Sequence, residues 1–548
     1  MLKSPRITSR KRGILSILFF SLLLNVLGIW FGLPGHNGWA PDEILPRDVQ
    51  DGIARRFSPD WCHKYPPLHY YLLALVEAPI VFFAKIRSVP LDGLLVYSIM
   101  IFAGRFLSLF MAAGIVFLVY KCGLEIFDQR ASLLAAGISS LLIPLVYYSK
   151  TANVDVPYMI WFMGSLYFFL RILRTRRRKD YLLFAVTAVL AVCTKDQAYG
   201  LYILPPLVVL YFDWKIQKKA VPNLTIFRFL SNRNYLLALA VAVCTFFLVQ
   251  NLAFNFRGFI DHIRMITGPL SQESRLASHT LSGHIYLLGR AWSQVRFSLG
   301  WPLFLVCLAG VIKALLAKPR NTLLLSLLAF VVSYEIFLIH VVLYNYARFY
   351  LPLLLILSLF GGQFLGYVLE IRSRISTVFR FAVAAIFVYS IFYAASLDVF
   401  MIKDARYVAE KWMRKNIPSE AVIGLAAWRA FEPRVQGYQA FGIPRRLMRF
   451  EELSSKPDFV IVNTQFSRRF QPDITGGRFF REMDKREATY RIVFRYQTPL
   501  SWLPLSHYEV LEQINCINPE IVIYKKVSPS APEADEGSPT LSLVRQTE

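Results

Sequence analysis

Hydrophobic residues come in long unbroken blocks along this chain rather than in short alternations. A charge-free run covers residues 14–33, and further apolar runs fall near 96–120, 131–149, 156–171, 181–194, 198–212, 235–253, 299–316, 321–341, 350–369 and 378–397. About 20 helical residues rising roughly 1.5 Å each cover the ~30 Å hydrocarbon core of a bilayer. The pattern therefore predicts a polytopic α-helical membrane protein of about eleven spans. One more apolar stretch, 68–84, carries Glu77 and Pro79 near its middle. Counting it as a span would put Asp155 and the basic cluster at 171–179 on the wrong sides, so it is expected to be an interfacial or re-entrant helix inside a long outer loop, 34–95. The alternative is a twelfth span with the carboxyl terminus reversed.

After residue 398 the pattern changes. An amphipathic helix is expected over 404–416, followed by short Val/Ile/Tyr-rich runs at 422–426, 459–462, 490–494 and 521–524. Polar, Pro-containing loops separate them, which suits a small mixed α/β domain. From 528 the tail is low-complexity and expected to be disordered. The expected domains are thus a membrane domain over 1–397, an extracytoplasmic α/β domain over 398–527 and a tail over 528–548.

Composition agrees with a membrane protein: 55% of the 548 residues are hydrophobic, only 18% are charged, and mean hydropathy is +0.43. Six cysteines cannot make a disulfide framework, and this apolarity excludes a disordered chain. The formal charge of +25 would suggest nucleic acid in a soluble protein. Here its distribution gives another reading. Lys3, Arg6, Arg10, Lys11 and Arg12 precede the first run, and further clusters fall at 171–179, 215–233, 313–320 and 372–380. If each lies in the cytoplasm, the runs alternate without contradiction and the carboxyl-terminal domain is outside. The first run is expected to be a retained anchor, since Gly32-Leu33-Pro34-Gly35 is not a clear cleavage site. A prokaryotic inner membrane suits this size and architecture. The excess is then an orientation signal, and no nucleic-acid partner is expected.

This topology gathers ionisable residues at the outer face. Asp42 and Glu43 open the first outer loop, which also carries His63, Lys64 and Tyr65; Asp155, Lys195, His262, Arg264 and Arg348 fall in outer turns or loops. Any one could be an idle loop residue. That account weakens for Asp155, Lys195 and Arg348, which occupy turns of a few residues between apolar runs. Arg105, a third of the way into its run, is costly unless it meets a polar partner. Acids and bases converging at headgroup level suit a membrane-bound phosphate donor.

These residues resemble the motifs of the GT-C superfamily of polytopic glycosyltransferases, which includes protein O-mannosyltransferases and the lipid A aminoarabinose transferase. Asp42-Glu43 is similar to its Asp-Glu motif, Lys64-Tyr65-Pro66-Pro67-Leu68 to its His/Lys-Pro-Pro loop, and Arg105-Phe106-Leu107-Ser108, Ser149-Lys150 and Asp155-Val156-Pro157 follow its order and spacing. Thr194-Lys195-Asp196 resembles a Thr-Lys-Gly turn, and Arg348-Phe349-Tyr350-Leu351-Pro352 an Arg-Tyr-Leu-x-Pro segment. There are departures. Tyr65 stands where many relatives have His or Lys, which leaves Lys64 and His63 as rivals, and Asp196 replaces glycine.

The resemblance implies an inverting transfer of a sugar from a polyprenyl-phosphate donor to a hydroxyl on a lipid, glycan or protein. The phosphate is a good leaving group, so a single carboxylate suffices as base, unlike the paired acids of glycosidases. Asp42 is assigned that role, with Glu43 and Asp155 as orienting carboxylates. Lys64, Arg348 and Arg264 are expected to hold the phosphate. His63, Tyr65, Arg105, Lys195 and His262 are supporting candidates. No His/Cys metal spacing occurs, and no metal or cofactor is expected. The rival is a multi-span transporter or lipid-linked-sugar flippase. Such proteins tend to show repeated halves and ionisable groups near the midplane; no repeat occurs here, and Glu335 is the clearest acid well inside a late run.

Overall fold

The computed structural model describes residues 6–58, 60–268, 275–371, 376–426, 429–443, 457–467, 490–514 and 517–527. The expected disordered tail, Trp428, Cys516, Arg372 and Arg374 lie outside the described residues. The chain divides into two compact units, Met1–Asp404 with Pro499–Asn518, and Ala405–Thr498 with Pro519–Glu548.

The first unit is a helical bundle. Its helices are α1 (Arg6–Val26), α2 (Pro46–Ala54), α3 (Leu68–Ile86), α4 (Leu94–Ile126), α5 (Gln129–Ser139), α6 (Ile143–Tyr148), α7 (Asp155–Thr175), α8 (Arg178–Thr194), α9 (Leu204–Ala220), α10 (Ile226–Leu230), α11 (Arg233–Val249) and α12 (Phe256–Thr267). They continue as α13 (Leu281–Leu316), α14 (Thr322–Val342), α15 (Leu351–Glu370), α16 (Ser376–Ile402) and, within the returning segment, the short helix His507–Gln513. Among the described residues seven helices are long and apolar enough to cross a membrane: α3, α4, α7, α13, α14, α15 with its leading turn from Ala347, and the run beginning at Ser376. The other expected spans fall in α1, in the paired α5 and α6, and in α8, α9 and α11, of 17 residues each. The apolar run 131–149 is two helices, α5 and α6, because Pro144 restarts the chain in the first turn of α6. α13 breaks at Gly300, where φ is 67°, two residues before Pro302.

The two ends of α7 and α8 carry different chemistry. At one end Arg171 bonds Asp180 (2.9 Å), Arg174 bonds Glu125 (2.7 Å) and Arg176 bonds Asp213 (2.9 Å). At the other end, a helix length of about 26 Å away along α8, Lys195 follows α8 and bonds Asp155 at the start of α7. The basic cluster and the candidate site residues thus occupy opposite ends of the same helices, as the alternation of runs predicts.

α3 meets the first loop at both of its ends. Tyr70 and Leu73 pack with Ile44, Val49 and Trp61, while Ile80 and Val81, like Leu33 and Leu45, pack against Tyr97, Met100 and Ile101 of α4. Gln50 of α2 donates to Glu77 at mid-helix (3.1 Å), and past the end of α3 the Asp92 carbonyl takes a 2.8 Å bond from His36. These contacts fit a helix returning within one loop, although its length and apolarity would also let it cross.

The second unit is a mixed α/β domain. Its strands are β1 (Val422–Leu425), β2 (Gln439–Gly442), β3 (Phe459–Asn463), β4 (Tyr490–Tyr496) and β5 (Ile521–Lys526), in the order β2-β1-β3-β5-β4. β1 runs parallel to β2 and β3, and β5 antiparallel to β3 and β4. β3 is buried along its whole length: residues 459–462 are apolar, and the buried Asn463 donates to the Phe431 carbonyl (2.7 Å). The amphipathic helix Ala405–Asn416 lays Ala409 and Met413 on Ile423, Ile461 and Ile523, and Trp412 and Tyr438 pack against that core.

Candidate active site

The loop after α1 is held by an ion pair below the surface. Arg105, 0% exposed, meets Glu43 through Nε to Oε1 and Nη2 to Oε2, both at 2.8 Å, and its Nη1 donates to the carbonyls of Ile29 (2.7 Å) and Phe31 (2.8 Å). Glu43 Oε1 also accepts the Ala152 N–H (2.9 Å), and Ile44 N–H donates to the Ala152 carbonyl (2.9 Å). Every arm of this bidentate pair is satisfied, the condition for burying charge at all. A Cβ on Gly38 would collide with both Glu43 and Arg105, so the chain passes here only because residue 38 has no side chain. Glu43 is therefore a fastener between the loop and the 149–155 turn. This also explains how Arg105 is accommodated inside an apolar helix.

The next residue back faces the other way. Asp42 has φ 67°, the left-handed region that Asp tolerates better than most side chains. Its Oδ1 accepts from Lys64 Nζ (2.6 Å) and its Oδ2 from Arg348 Nη1 (2.8 Å). Burial alone would raise this carboxyl. The charges of Arg348 and Lys64 more than reverse that and hold it well below the usual carboxylate range. The site is at a surface, since the Asp42 side chain is 26% and that of Lys64 51% exposed. Among the described residues Arg348 Nε has no hydrogen-bond partner, so part of its donor fork is uncommitted.

Behind Arg348 lies a second carboxylate. Asp155 Oδ1 accepts from Lys195 Nζ (2.5 Å), its Oδ2 from Asn153 (3.0 Å), and Oδ2 is also 4.0 Å from Arg348 Nη1. The Asp155 N–H donates back to Asn153 Oδ1 (3.0 Å), closing the turn at the start of α7. Lys195 also lies over the rings of Tyr158 (5.1 Å) and Phe349 (5.2 Å). Arg348 is walled by Tyr148 (6.0 Å), Tyr346 (5.8 Å) and Phe349 (6.0 Å).

Of the expected residues, Asp42, Lys64, Arg348, Asp155 and Lys195 come together, and Tyr65 lies among them. Burial and the Asp42 charge push the Tyr65 phenol well above its ordinary value, so it is neutral. Between the rivals, Lys64 reaches Asp42. His63 instead packs beside Trp61 and Tyr70, with Nε2 3.9 Å from Asp51, and burial holds its imidazole below the ordinary value. Arg264 is not brought to Asp42: it is 77% exposed on α12 and pairs with Asp261 (3.3 Å). His262 bonds Asp196 and the His63 carbonyl. Asn153 and the Tyr148/Tyr346/Phe349 wall were not singled out from sequence; an Asn two residues before a buried Asp is the one local signal for the first. Lys150, noted only as part of a motif, is wholly buried and pairs with Asp398 (2.9 Å) in α16. Among the described residues no group of three His, Cys, Asp or Glu side chains gathers as a metal site.

A bundle of apolar helices with carboxylates and cations collected at one end defines a polytopic membrane protein with a candidate site at the ends of its helices. Residues 93–232 match the family described as dolichyl-phosphate-mannose-protein mannosyltransferase. No curated protein sequence matches the chain. Solved structures similar to it include the archaeal oligosaccharyltransferase AglB from Archaeoglobus fulgidus in complex with an inhibitory peptide and a dolichol-phosphate (TM-score 0.48, 11% identity, covering 94% of this chain and 88% of that one). Another is ArnT from Cupriavidus metallidurans bound to undecaprenyl phosphate (TM-score 0.47, 10% identity, covering 97% and 100%). A third is the S. cerevisiae protein O-mannosyltransferase Pmt1-Pmt2 complex bound to the sugar donor (TM-score 0.34, 15% identity, covering 46% and 34%). The family matched by residues 93–232 belongs to the GT-C superfamily, the class whose motifs Asp42-Glu43 and Lys64 to Leu68 resemble.

Proposed function

We propose that this protein is an inverting membrane glycosyltransferase. It moves a sugar from a polyprenyl-phosphate donor to a hydroxyl acceptor, with Asp42 as the general base. The observation that carries the reading is the placement of Asp42 between Lys64 and Arg348 at a partly open surface. The description of the family matched by residues 93–232 supports a sugar-phosphate lipid as donor.

The chemistry follows from what these groups can do. Lys64 and Arg348 are the cations a donor phosphate needs, and Asp42 holds both. A donor phosphate entering beside Arg348 competes for them, and as they turn to it the Asp42 carboxylate loses the charges that depress its proton affinity. Donor binding thereby raises the base toward a useful range. The acceptor hydroxyl then attacks the anomeric carbon from the face opposite the phosphate. Its proton passes to Asp42, the new C–O bond forms, and the bond to phosphate oxygen breaks to release polyprenyl phosphate. Lys64 and Arg348 stabilise the charge that grows on the leaving phosphate. Asp155, held by Lys195 and Asn153, keeps Arg348 oriented.

The position of the cluster, at helix ends rather than in their middles, favours surface chemistry over transport. The test is to incubate the purified protein with a radiolabelled polyprenyl-phosphate sugar and a cell-envelope extract as acceptor source. Label should move to the acceptor with release of polyprenyl phosphate and without a transmembrane gradient. If the donor stays intact with wild-type protein but crosses the membrane of a sealed vesicle, the enzyme reading fails.

A further inference from the structure

Three residues on one side of α12 lie against the segment that carries Lys64. Asn255, just before the helix, donates through Nδ2 to the Trp61 carbonyl (2.7 Å). At Gly258 a Cβ would run into that same carbonyl, so the helix backbone approaches as closely as it can. One turn further, His262 Nδ1 lies 2.7 Å from the His63 carbonyl oxygen, and its Nε2 lies 3.1 Å from both carboxylate oxygens of Asp196. The spacing 255, 258, 262 is that of a single helical face.

These contacts close a ring. Asp196 follows Lys195, which holds Asp155; Asp155 faces Arg348; Arg348 and Lys64 hold Asp42; Lys64 follows His63, whose carbonyl His262 holds. Asp196 and His262 thus connect the backbone of the two lysines from outside the site. Neither side chain reaches Asp42, so neither is a catalytic residue.

We infer that the Asp196–His262 bridge is a positioning clip, which fixes the segment 61–64 so that Lys64 meets the phosphate of a lipid-linked donor. The inference rests on the proposed role of Lys64 as a phosphate cation. Asp196 stands where the resembling turn has glycine, so the bridge uses a residue the motif does not supply. A carbonyl and a carboxylate can only accept, so both bonds form together only when the imidazole carries two protons. Burial pulls His262 down, but Asp196 and the His63 carbonyl outweigh it and raise it above its ordinary value. The other titratable or charged groups around it are Cys62, His63, Tyr65 and Tyr71 in the same pocket, and Arg257, Asp261 and Arg264 on its own helix; burial holds the His63 imidazole below its ordinary value. The clip is closed at low pH and opens as His262 loses its second proton.

The experiment measures binding of undecaprenyl phosphate to the full-length protein in nanodiscs between about pH 5.5 and 8.5, the range over which a histidine titrates. Variants are Asp196→Asn, His262→Gln, Gly258→Ala and Lys64→Ala, each checked by thermal unfolding. At low pH the first three are expected to weaken binding by roughly three- to tenfold, and His262→Gln added to Lys64→Ala to cost little more, as coupled residues do. The affinity of wild type relative to His262→Gln should fall as pH rises; taking that ratio removes the phosphate's own second ionisation. Gly258→Ala leaves all charges in place, so it tests the docking even if Asp196→Asn does not fold. If Lys64→Ala weakens binding while the clip variants match wild type at every pH, the clip is overturned and the proposed function stands. If Lys64→Ala itself binds normally, the phosphate clamp fails and this inference with it.

Discussion

Arg348 presents one nitrogen, Nη1, to two carboxylates at once: 2.8 Å from Asp42 Oδ2 and 4.0 Å from Asp155 Oδ2. The nearer is a hydrogen-bonded ion pair with the proposed base; the farther is a charge contact at the limit of an ion pair. In the proposed mechanism Asp42 and the donor phosphate are rivals for the same cations.

Asp42→Asn separates binding from chemistry. The amide cannot take a proton and no longer neutralises Lys64 and Arg348, so the phosphate meets less competition. Transfer should fall by about 10²- to 10⁴-fold, the usual contribution of a general base. Affinity for undecaprenyl phosphate should stay equal or rise. Transfer kinetics and lipid-phosphate binding on one preparation check both arms, and transfer at the wild-type rate would remove Asp42 as the base.

Arg348→Lys keeps the charge and loses the fork. A lysine ammonium is a point charge and cannot hold Asp155 while turning planar, paired donors to a phosphate. The expected result is a rise of roughly tenfold in donor KM, about 1.4 kcal/mol, with the fold retained. A variant that uses donor as well as wild type would show that the fork geometry is irrelevant.

Glu43→Gln tests the fastener rather than the chemistry. It leaves the Arg105 guanidinium, which is 0% exposed, without its counter-charge. Breaking a buried pair from one side typically costs about 3–5 kcal/mol, so the variant should melt earlier and lose transfer together with stability. The measurement is thermal unfolding in detergent. Unchanged melting with lost transfer would instead put Glu43 in the chemistry.

Much of this was readable in advance, for physical reasons that particular residues illustrate. Long apolar blocks announce themselves, and Asp155, Lys195 and Arg348 stood out because short turns between such blocks leave little room for idle charge, whereas Asp42 and Lys64, in a long outer loop, stood out through their resemblance to the Asp-Glu and His/Lys-Pro-Pro motifs. Partnerships were not readable. Glu43 and Asp42 are adjacent in sequence, yet a positive φ at Asp42 sends one to Arg105 and the other to Arg348. Choosing Lys64 over His63 needed the burial of the imidazole, which only packing supplies. Periodicity read 131–149 as one run because Pro144 is itself compatible with the first turn of a helix. The segment 499–518 was expected to lie in the α/β domain by simple adjacency, but it folds with the helical unit, where Glu509 pairs with Arg296 and the Asn518 N–H donates to Asp404 (2.6 Å).

The raised proton affinity of His262 makes the order of the 57–64 segment depend on pH, and its sign can be worked out. A histidine that binds its proton more tightly in the folded state contributes stability that is fully present below its ordinary value near 6.5. That contribution is lost as pH rises through the raised folded value. Above it, with the remaining proton on Nδ1 toward the His63 carbonyl, a bare Nε2 lone pair faces the Asp196 carboxylate. The segment should therefore be most protected in mildly acidic buffer and loosen toward alkaline pH. Amide hydrogen exchange, corrected for its intrinsic pH dependence, reads this directly for peptides covering 57–64 and for α12. His262→Gln should show the looser pattern at every pH. A wild-type profile that is flat, or that tightens as pH rises, would mean that the imidazole is not held as the doubly protonated bridge these distances describe.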